Sequence, residues 1–337
     1  MRTYDVGGRA VPALGLGCMG MTWSYGQHER DDERSLEVVR AALDLGVTHL
    51  DTADMYGEGS NEALVGRAVA GRRDEAFLAT KVGLVVDEAA TFTIHRDGSP
   101  EHIRAGIDAS LARLGTDHVD LWYLHRADPA IPLEETWGAM AEAVGAGKVR
   151  ALGLSEVSIA EAERAHAIHP VSAIQSELSV WTRDALGVPP RLREVEDTGS
   201  REYQGGGAPP EDVVGWCRDH GAAFVAFSPL GRGYLTGTVE SVRPGDFRAG
   251  NPRFQPAALA ANREIVDRVR SVAERHGATP AQVALAWVLA QGPHVLAVPG
   301  TKKLAYLREN TAAADLVLDA DDLAALDELP PVAGARY

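Results

Sequence analysis

Short runs of apolar residues alternate along the chain with longer segments in which apolar residues recur at helical spacing. The short runs predict strands near residues 14–17, 47–50, 77–81, 119–124, 149–154, 173–175, 223–227 and 295–298. The segments that follow them predict helices near residues 31–45, 60–70, 100–114, 133–145, 158–168, 211–219, 257–291 and 303–312. This succession of strand–helix units favours the α/β class and a closed (β/α)8 TIM barrel over an open doubly wound sheet.

Three segments depart from this alternation. Residues 4–6 and 10–11 flank Gly7-Gly8, a two-residue turn that predicts an N-terminal β-hairpin. The connections 83–98 and 182–210 are longer than strand–helix turns require, and 182–210 is rich in glycine and proline. This insertion follows the sixth strand, so it would emerge at the C-terminal face, either as a substrate-side lid, which we favour, or as a tolerated flexible insertion. No change in composition marks a boundary, and residues 1–337 predict a single domain.

Composition narrows the class of protein. A chain of 337 residues that is 45% hydrophobic and 24% charged can bury a large core. The net charge of -15 repels phosphate backbones and anionic membranes, so neither is an expected partner. The two cysteines, Cys18 and Cys217, show no disulfide or zinc-ligand spacing. Without a signal-like N-terminal segment or an apolar run of about 18 residues, the sequence predicts a protein of the reducing cytoplasm.

Polar residues lie where several predicted strands end. Asp51, Lys81, His125 and Ser155 end or follow the second to fifth strands, and barrel topology brings such ends to one rim. Tyr56 lies in the loop after Asp51, where a buried ammonium group at Lys81, compensated by Asp51, would lower its pKa. A tyrosine tuned in this way is a general acid for a carbonyl oxygen. Singly, these residues could equally be a core histidine, a surface lysine or a turn cap.

Further motifs accompany these residues. They are Gly46-Val47-Thr48, Asp51-Thr52-Ala53-Asp54-Met55-Tyr56-Gly57, Ala79-Thr80-Lys81, Ser110-Leu111-Ala112-Arg113-Leu114-Gly115-Thr116-Asp117, His125-Arg126, Gly147-Lys148-Val149-Arg150, Ser228-Pro229-Leu230-Gly231-Arg232-Gly233, Pro299-Gly300-Thr301 and Glu309-Asn310. In their combination the chain resembles the aldo-keto reductase family, most of all the bacterial reductases related to potassium-channel β subunits. The resemblance implies a catalytic tetrad of Asp51, Tyr56, Lys81 and His125, in which Tyr56 donates a proton while a nicotinamide delivers hydride and His125 orients the carbonyl.

The resemblance also implies a binding site for NADPH. Its residues would be Met19, Asp51, Ser155, Glu156, Gln175, Phe227, Ser228, Pro229, Leu230, Gly231, Arg232, Gly233, Pro299, Gly300, Thr301, Lys302, Lys303, Tyr306, Glu309 and Asn310. The family's cofactor site uses no G-x-G-x-x-G turn, and the absence of a complete Rossmann fingerprint argues against an ordinary dinucleotide-binding domain. Thr301-Lys302-Lys303 precedes the last predicted helix and forms an anion site suited to the 2′-phosphate, so NADPH is favoured over NADH.

Two cofactor positions depart from the family pattern. Glu156 stands where the family usually has asparagine, and an ionised carboxylate cannot donate a hydrogen bond to the nicotinamide carboxamide. Either protonation of Glu156 or a neighbouring group would have to compensate. Tyr306 stands where the family often has arginine, which weakens the expected preference for NADPH.

The substrate site is predicted on loops of the same face. Tyr56 and His125 would be joined there by Trp23, Tyr25, Met55, Arg126 and Trp181. The predicted function is NADPH-dependent reduction of an aldehyde or ketone to an alcohol, with the insertion suggesting a bulky sugar or secondary-metabolite carbonyl. The alternatives are a nucleotide-binding sensor of the channel-β type with little turnover and an enzyme that uses the cofactor without net reduction.

Overall fold

The computed structural model of the chain describes residues 1–89, 91, 93–193 and 210–336. The strands within these residues are β1 Thr3–Val6, β2 Arg9–Pro12, β3 Leu16–Gly17, β4 His49–Asp51, β5 Phe77–Val82, β6 Leu84–Glu88, β7 Thr93–Arg96, β8 Val119–Leu124, β9 Val149–Ser155, β10 Val171–Glu177, β11 Leu192–Arg193, β12 Ala223–Phe227, β13 Val295–Ala297 and β14 Val332–Ala333. The α-helices are α1 Asp32–Asp44, α2 Ser60–Val69, α3 Pro100–Leu114, α4 Leu133–Gly145, α5 Ile159–His166, α6 Val213–Asp219, α7 Pro256–Ala261, α8 Arg263–His276, α9 Pro280–Ala290, α10 Leu304–Ala312 and α11 Ala320–Asp327.

The predicted strands form one parallel sheet. Its order is β3, β4, β5, β8, β9, β10, β12 and β13, which is also their order in the sequence. Parallel bridges from Leu14 to Ala297 and from Gly17 to Gly300 join the first strand to the last and close the barrel. Every residue of β5 and β8 is buried, because the strands of a closed parallel barrel are covered on both faces. The predicted (β/α)8 barrel is confirmed.

The N-terminal hairpin lies across the amino ends of the barrel strands. Its strands β1 and β2 pair antiparallel, as the Gly7-Gly8 turn predicted. Arg9 donates to the Asp120 carboxylate at 2.6 Å, and Arg73 donates to the same carboxylate at 2.9 Å. The carboxylate also accepts a hydrogen bond from the backbone N–H of Leu78 at 2.8 Å. These three donors compensate the Asp120 carboxylate, which is buried. This shared carboxylate fixes the hairpin to the starts of β5 and β8.

The predicted helices are present, but the structure differs from the prediction in two helical segments and one loop. The tract 257–291 contains three helices, because α8 ends at Gly277 in a left-handed conformation and Thr279 then forms a capping box for α9. Helix α11 was not predicted, although its own capping box is a sequence signal for it. The connection 83–98, expected to be a plain loop, contains the hairpin β6–β7, because Leu84 and Ile94 are buried against apolar residues at the barrel mouth.

The predicted insertion 182–210 is described in part. Residues 182–193 include β11, which pairs parallel with β14 near the end of the chain. Residues 194–209 lie outside the described residues, so the lid stays a prediction, as does the single-domain organisation. Within the described ranges, no helix is both long and apolar enough to cross a bilayer.

Helix packing around the barrel gives a matched pair of stability tests. A Cβ added to Gly66 in α2 would overlap the backbone of Leu114 at the end of α3, whereas one added to Gly138 in α4 would have no atom within 4 Å. We expect Gly66→Ala to destabilise the protein by about 1–3 kcal/mol through overpacking. Gly138→Ala should stabilise it by about 0.5–1 kcal/mol by restricting the unfolded chain. Urea unfolding measures both, and equal effects of the two variants would contradict this packing.

Candidate active site

The predicted tetrad meets at the carboxyl rim of the barrel. Lys81 in β5 is completely buried, and its Nζ lies 2.6 Å from Asp51 Oδ1 at the end of β4. The same Nζ donates to the hydroxyl oxygen of Tyr56 at 3.5 Å. The other oxygen of Asp51 accepts a hydrogen bond from the side-chain amide of Gln175 at 2.7 Å. One ammonium group therefore joins a carboxylate to a phenol in a buried site.

The loop that carries Tyr56 is held by its neighbours. The side-chain amide of Asn61, at the start of α2, donates to the Cys18 carbonyl oxygen at 2.9 Å and to the Thr22 hydroxyl at 2.8 Å. Gly57 has a φ of 55°, and a Cβ there would come within 2.5 Å of the Ser60 hydroxyl oxygen. Glycine is required at this turn, which directs the ring of Tyr56 towards Lys81.

Burial controls the proton affinities of Tyr56 and Lys81. Burial raises the pKa of Tyr56 above its ordinary value, and the nearby Lys81 only partly offsets this effect. The prediction of a Tyr56 pKa below the ordinary value is therefore wrong, because the sequence does not show how deeply the phenol is buried. Burial also acts to lower the pKa of Lys81, but Asp51 and Tyr56 outweigh it and the net pKa is raised. The pair is a neutral phenol beside a charged ammonium group.

His125 follows β8 and presents a neutral imidazole beside the phenol. Burial holds the pKa of His125 well below its ordinary range, and the cations of Arg126 and Lys81 lower it further. Its ring centroid lies 5.8 Å from that of Tyr56 at an interplanar angle of 81°. Among the described residues, Nδ1 of His125 has no hydrogen-bond partner. A neutral imidazole at this position can donate an N–H hydrogen bond that orients a carbonyl oxygen, without transferring its proton.

Two of the predicted nicotinamide contacts lie side by side. Ser155 at the end of β9 pairs in register with Gln175 in β10. The Ser155 hydroxyl accepts from the Arg126 guanidinium at 3.0 Å, so Arg126 points to this end of the cofactor site. Phe227 is half-buried at the end of β12, in register with Glu177. These strand ends form a continuous edge with the tetrad.

The Glu156 carboxylate at this edge is already engaged by protein donors. Its backbone is left-handed, with a φ of 54°, and its Oε1 accepts from the backbone N–H of Glu177 at 2.8 Å. Arg336 donates to the same oxygen at 2.5 Å. Sequence reasoning missed Arg336, since a lone arginine far along the chain carries no signal of this contact. The neighbouring group that balances the charge of the Glu156 carboxylate is therefore Arg336.

The loop after β12 carries the predicted pyrophosphate residues. Arg232 and Gly233 interrupt the 3-10 helix Gly231–Thr236 with left-handed φ values of 55° and 92°. The Arg232 guanidinium donates to the Glu177 carboxylate at 3.3 Å. This contact ties the loop to the end of β10. Burial acts to raise the pKa of Glu177, but Arg336, Arg232 and Arg253 together lower it to about 2.

The two lysines of the predicted phosphate site differ in their surroundings. Lys302 donates to the carbonyl oxygens of Gly26 at 2.8 Å and Tyr25 at 3.2 Å, and so links the loop after β13 to the loop after β3. Lys303 is exposed at the start of α10, with its Nζ 5.3 Å from the centroid of the Tyr306 ring. Lys303 is therefore the better-placed cation for an anion in solution, while Lys302 positions the loop.

The remaining predicted cofactor residues lie on the same loops and on α10. Gly17 donates through its backbone N–H to the Pro299 carbonyl oxygen at 3.2 Å, next to Gly300 and Thr301. Glu309 is half-buried and accepts from Thr279 at 2.7 Å, and Asn310 is buried. The other predicted residues on the loop after β12 are Ser228, which has a left-handed φ of 49°, Pro229 and Leu230.

The predicted aromatic and apolar substrate residues lie in three places. Trp23 and Met55 pack in one apolar cluster with Tyr56, together with Leu84 and Ile94 of the unpredicted hairpin β6–β7. Met19 packs against the same cluster. Trp181 belongs to a second group, in which it stacks on Tyr234 at a centroid distance of 5.0 Å. Tyr25 lies in a third place, with its ring 6.2 Å from that of Phe247. The apolar wall beside the phenol is therefore formed by Trp23, Met55 and the hairpin.

Comparison with known proteins identifies the family. A model of the aldo/keto reductase family matches residues 13–330. The chain belongs to the aldo/keto reductase family. It is thus an oxidoreductase, as its motifs predicted, and the fold of its relatives is the barrel described above.

Similar proteins cover nearly the whole of this aldo/keto reductase. A Glycine max protein named probable aldo-keto reductase 1 is 40% identical over 336 residues, 98% of this chain and 89% of the relative. A Schizosaccharomyces pombe protein named aldo-keto reductase yakc, with NADP(+) in its name, is 39% identical over 343 residues, 99% of this chain and 94% of the relative. An aldo-keto reductase from Klebsiella pneumoniae, solved in complex with NADPH, is 28% identical with a TM-score of 0.71, covering 100% of this chain and 97% of that one.

Proposed function

We propose that this aldo/keto reductase reduces an aldehyde or ketone to an alcohol with NADPH, and that Tyr56 is its general acid. The observation that supports these roles is the buried Lys81, whose Nζ lies 2.6 Å from Asp51 and 3.5 Å from the Tyr56 hydroxyl. The named relatives are reductases, which favours turnover over the sensor role. When bound, NADPH supplies the hydride.

The side chains supply the proton and stabilise the charge that remains. Tyr56 donates its hydroxyl proton to the carbonyl oxygen as the alcohol forms. The Lys81 ammonium group stabilises the resulting phenolate, and Asp51 keeps that ammonium group charged in a buried site. His125 orients the carbonyl oxygen through an N–H of its neutral imidazole. This step draws its proton from Tyr56 and not from solvent, and both Tyr56 and Lys81 are buried.

The residues at the rim fit a dinucleotide phosphate. Phe227 offers a half-buried ring for a nicotinamide to stack on, beside Ser155 and Gln175. The left-handed turn at Arg232 and Gly233 supplies backbone amides and a cation suited to a pyrophosphate. Lys303, exposed at the start of α10, suits a 2′-phosphate. These features support NADPH over NADH.

The apolar surface beside the Tyr56 phenol indicates the substrate class. Trp23, Met55, Leu84 and Ile94 form an apolar surface there, which suits a carbonyl with a hydrophobic substituent. Arg126 is engaged with Ser155, so it supports the cofactor end of the site more than an anionic substrate. A bulky sugar or secondary-metabolite carbonyl stays a proposal tied to the insertion 182–210. The cytoplasm is the proposed location, and the two buried free thiols of Cys18 and Cys217 suit a reducing compartment.

The test of this function is consumption of nicotinamide cofactor. The purified protein is mixed with NADPH or NADH and a panel of aldehydes and ketones that range from small polar to large aromatic compounds. We expect loss of NADPH absorbance that depends on the carbonyl, faster with NADPH than with NADH, and fastest with aromatic carbonyls. Tight NADPH binding without turnover of any carbonyl would instead support the sensor.

A further inference from the structure

A buried cluster of charges lies beside the nicotinamide end of the proposed cofactor site. This arginine–carboxylate cluster consists of Glu156, Glu177, Asp184, Arg232, Arg253 and Arg336. Three carboxylates and three guanidinium groups balance each other, so the cluster is neutral as a whole. A buried ionised carboxylate is costly unless a cation or hydrogen bonds compensate its charge. Removing one arginine would leave an excess negative charge at the strand ends.

Arg336 contacts all three carboxylates of the cluster. Its Nη2 lies 2.5 Å from Glu156 Oε1, its Nε lies 3.0 Å from Glu177 Oε2, and its Nη1 lies 3.6 Å from Asp184 Oδ2. The Glu156 side chain is completely buried and only 11% of the Arg336 side chain is exposed. Low exposure strengthens the Coulomb attraction within these pairs, so removing one partner would leave an uncompensated buried charge.

Backbone hydrogen bonds hold Arg336 in place. The Asn251 side-chain amide donates to the carbonyl oxygen of Arg336 at 2.7 Å. Three residues earlier, Ala333 exchanges two hydrogen bonds with the Asn262 side chain, at 2.8 and 3.0 Å. Strand β14 also pairs with β11. The segment that carries Arg336 is thus fixed to the barrel rim independently of the ion pairs.

The cluster is connected to the cofactor site at two points. Glu156 directly follows Ser155, and Glu177 lies two residues after Gln175, so Arg336 spans the ends of the strands that carry both nicotinamide contacts. Glu177 Oε2 also accepts from Arg232, at 3.3 Å, on the loop proposed to bind pyrophosphate. Without Arg336, the carboxylates would attract Arg232 more strongly and compete with the phosphates for it.

We propose that Arg336 is a positioning residue for cofactor binding. It neutralises Glu156 and Glu177, which fixes the ends of β9 and β10 and reduces the negative charge that competes with the cofactor phosphates for Arg232. The proposal rests on the function proposed above. It assigns a role in cofactor affinity to an arginine about 180 positions from its carboxylate partner, and it accounts for a glutamate where the family usually has an amide.

The test measures NADPH binding and turnover separately. Tryptophan fluorescence titration gives the NADPH dissociation constant, and steady-state kinetics give kcat at saturating NADPH. We expect Arg336→Met to raise the dissociation constant by at least about tenfold while kcat stays within about threefold. Arg336→Lys, which keeps the charge without the fork of donors, should lie between Arg336→Met and the wild type. Arg336→Met/Glu156→Gln should recover at least half of the lost binding energy, because it removes the uncompensated carboxylate.

A matched control separates this effect from loss of any ion pair. Arg104 in α3 pairs with Glu142 at 2.8 Å, but both side chains are about half exposed on the outside of the barrel. Arg104→Met should therefore bind NADPH as the wild type does. The proposal is overturned if Arg336→Met keeps wild-type affinity, or if the double variant binds no better than Arg336→Met. Failure of the wild type itself to bind NADPH would refute the proposed function, a result distinct from both.

Discussion

Replacing Tyr56 with phenylalanine is expected to lower kcat about a thousandfold while leaving NADPH affinity unchanged. The substitution removes the only atom proposed to donate the proton, yet it keeps the ring that packs 6.0 Å from Trp23 and 5.8 Å from His125. Lys81 retains Asp51 as its partner, so no charge is left uncompensated. Single-turnover reduction of an aromatic aldehyde, together with fluorescence titration of NADPH, separates the chemical step from binding.

The matched control for this variant is Tyr4→Phe. Tyr4 lies in the N-terminal hairpin at the opposite end of the barrel, and loss of its hydroxyl should leave kcat unchanged. Comparable losses in the two variants, or wild-type turnover in Tyr56→Phe, would remove Tyr56 from the mechanism. The proton donor would then have to be another group.

The raised pKa of Tyr56 predicts how the reaction responds to pH. Reduction requires the protonated phenol, and burial raises the pKa of Tyr56 above its ordinary value of about 10. The reduction rate should therefore hold into the alkaline range and fall only as the pH approaches that raised value. Alcohol oxidation requires the phenolate, so its rate should increase with pH over the same range.

Replacing Lys81 with methionine is expected to abolish measurable turnover and to destabilise the protein by about 3–5 kcal/mol. The methionine fills much of the same volume, but it leaves the Asp51 carboxylate in a buried site with Gln175 as a remaining hydrogen-bond donor. The phenolate formed at Tyr56 would also lack its neighbouring cation. Urea unfolding measures the first effect, and NADPH consumption measures the second.

The double variant Lys81→Met/Asp51→Asn separates stability from chemistry. Removing both charges should restore most of the lost stability, because no carboxylate is then left unpaired, while turnover stays absent. Since the folded-state pKa of Lys81 is raised, the stability from this pair is fully present below about pH 10 and is lost as the pH rises through the folded value. Recovery of turnover in the double variant would contradict the role given to Lys81.

The sequence predicted the barrel because its strands are buried on both faces. Strands such as β5 and β8 are mostly apolar apart from Thr80, Lys81 and Asp120, and such short apolar segments are visible without any tertiary information. The hairpin β6–β7 was missed because only Leu84 and Ile94 of its residues are buried, and they are buried by contacts with the barrel mouth that the local sequence does not show. Short elements stabilised by tertiary contacts leave little local signal.

The candidate site was predicted in its residue types but not in its electrostatics. The strand-end positions of Asp51, Lys81 and His125 follow from topology, so their proximity could be inferred from the sequence. The direction of the Tyr56 pKa shift could not, because it depends on the balance between burial and a single ammonium group. The partner of Glu156 was also inaccessible, since Arg336 reaches it through the fold and not through any sequence spacing.

The shared Asp120 carboxylate lies at the amino ends of the strands, so the contacts that fix this end of the barrel are separate from the catalytic site. Arg9, Arg73 and Leu78 all converge on it, far from the rim where the phenol and the imidazole lie. Substitutions meant to raise the thermal stability of this enzyme are therefore best placed at the amino end of the barrel, away from the catalytic residues. Substitutions meant to change the substrate specificity belong in the loops at the carboxyl rim, so the two sets of substitutions can be selected separately and then combined.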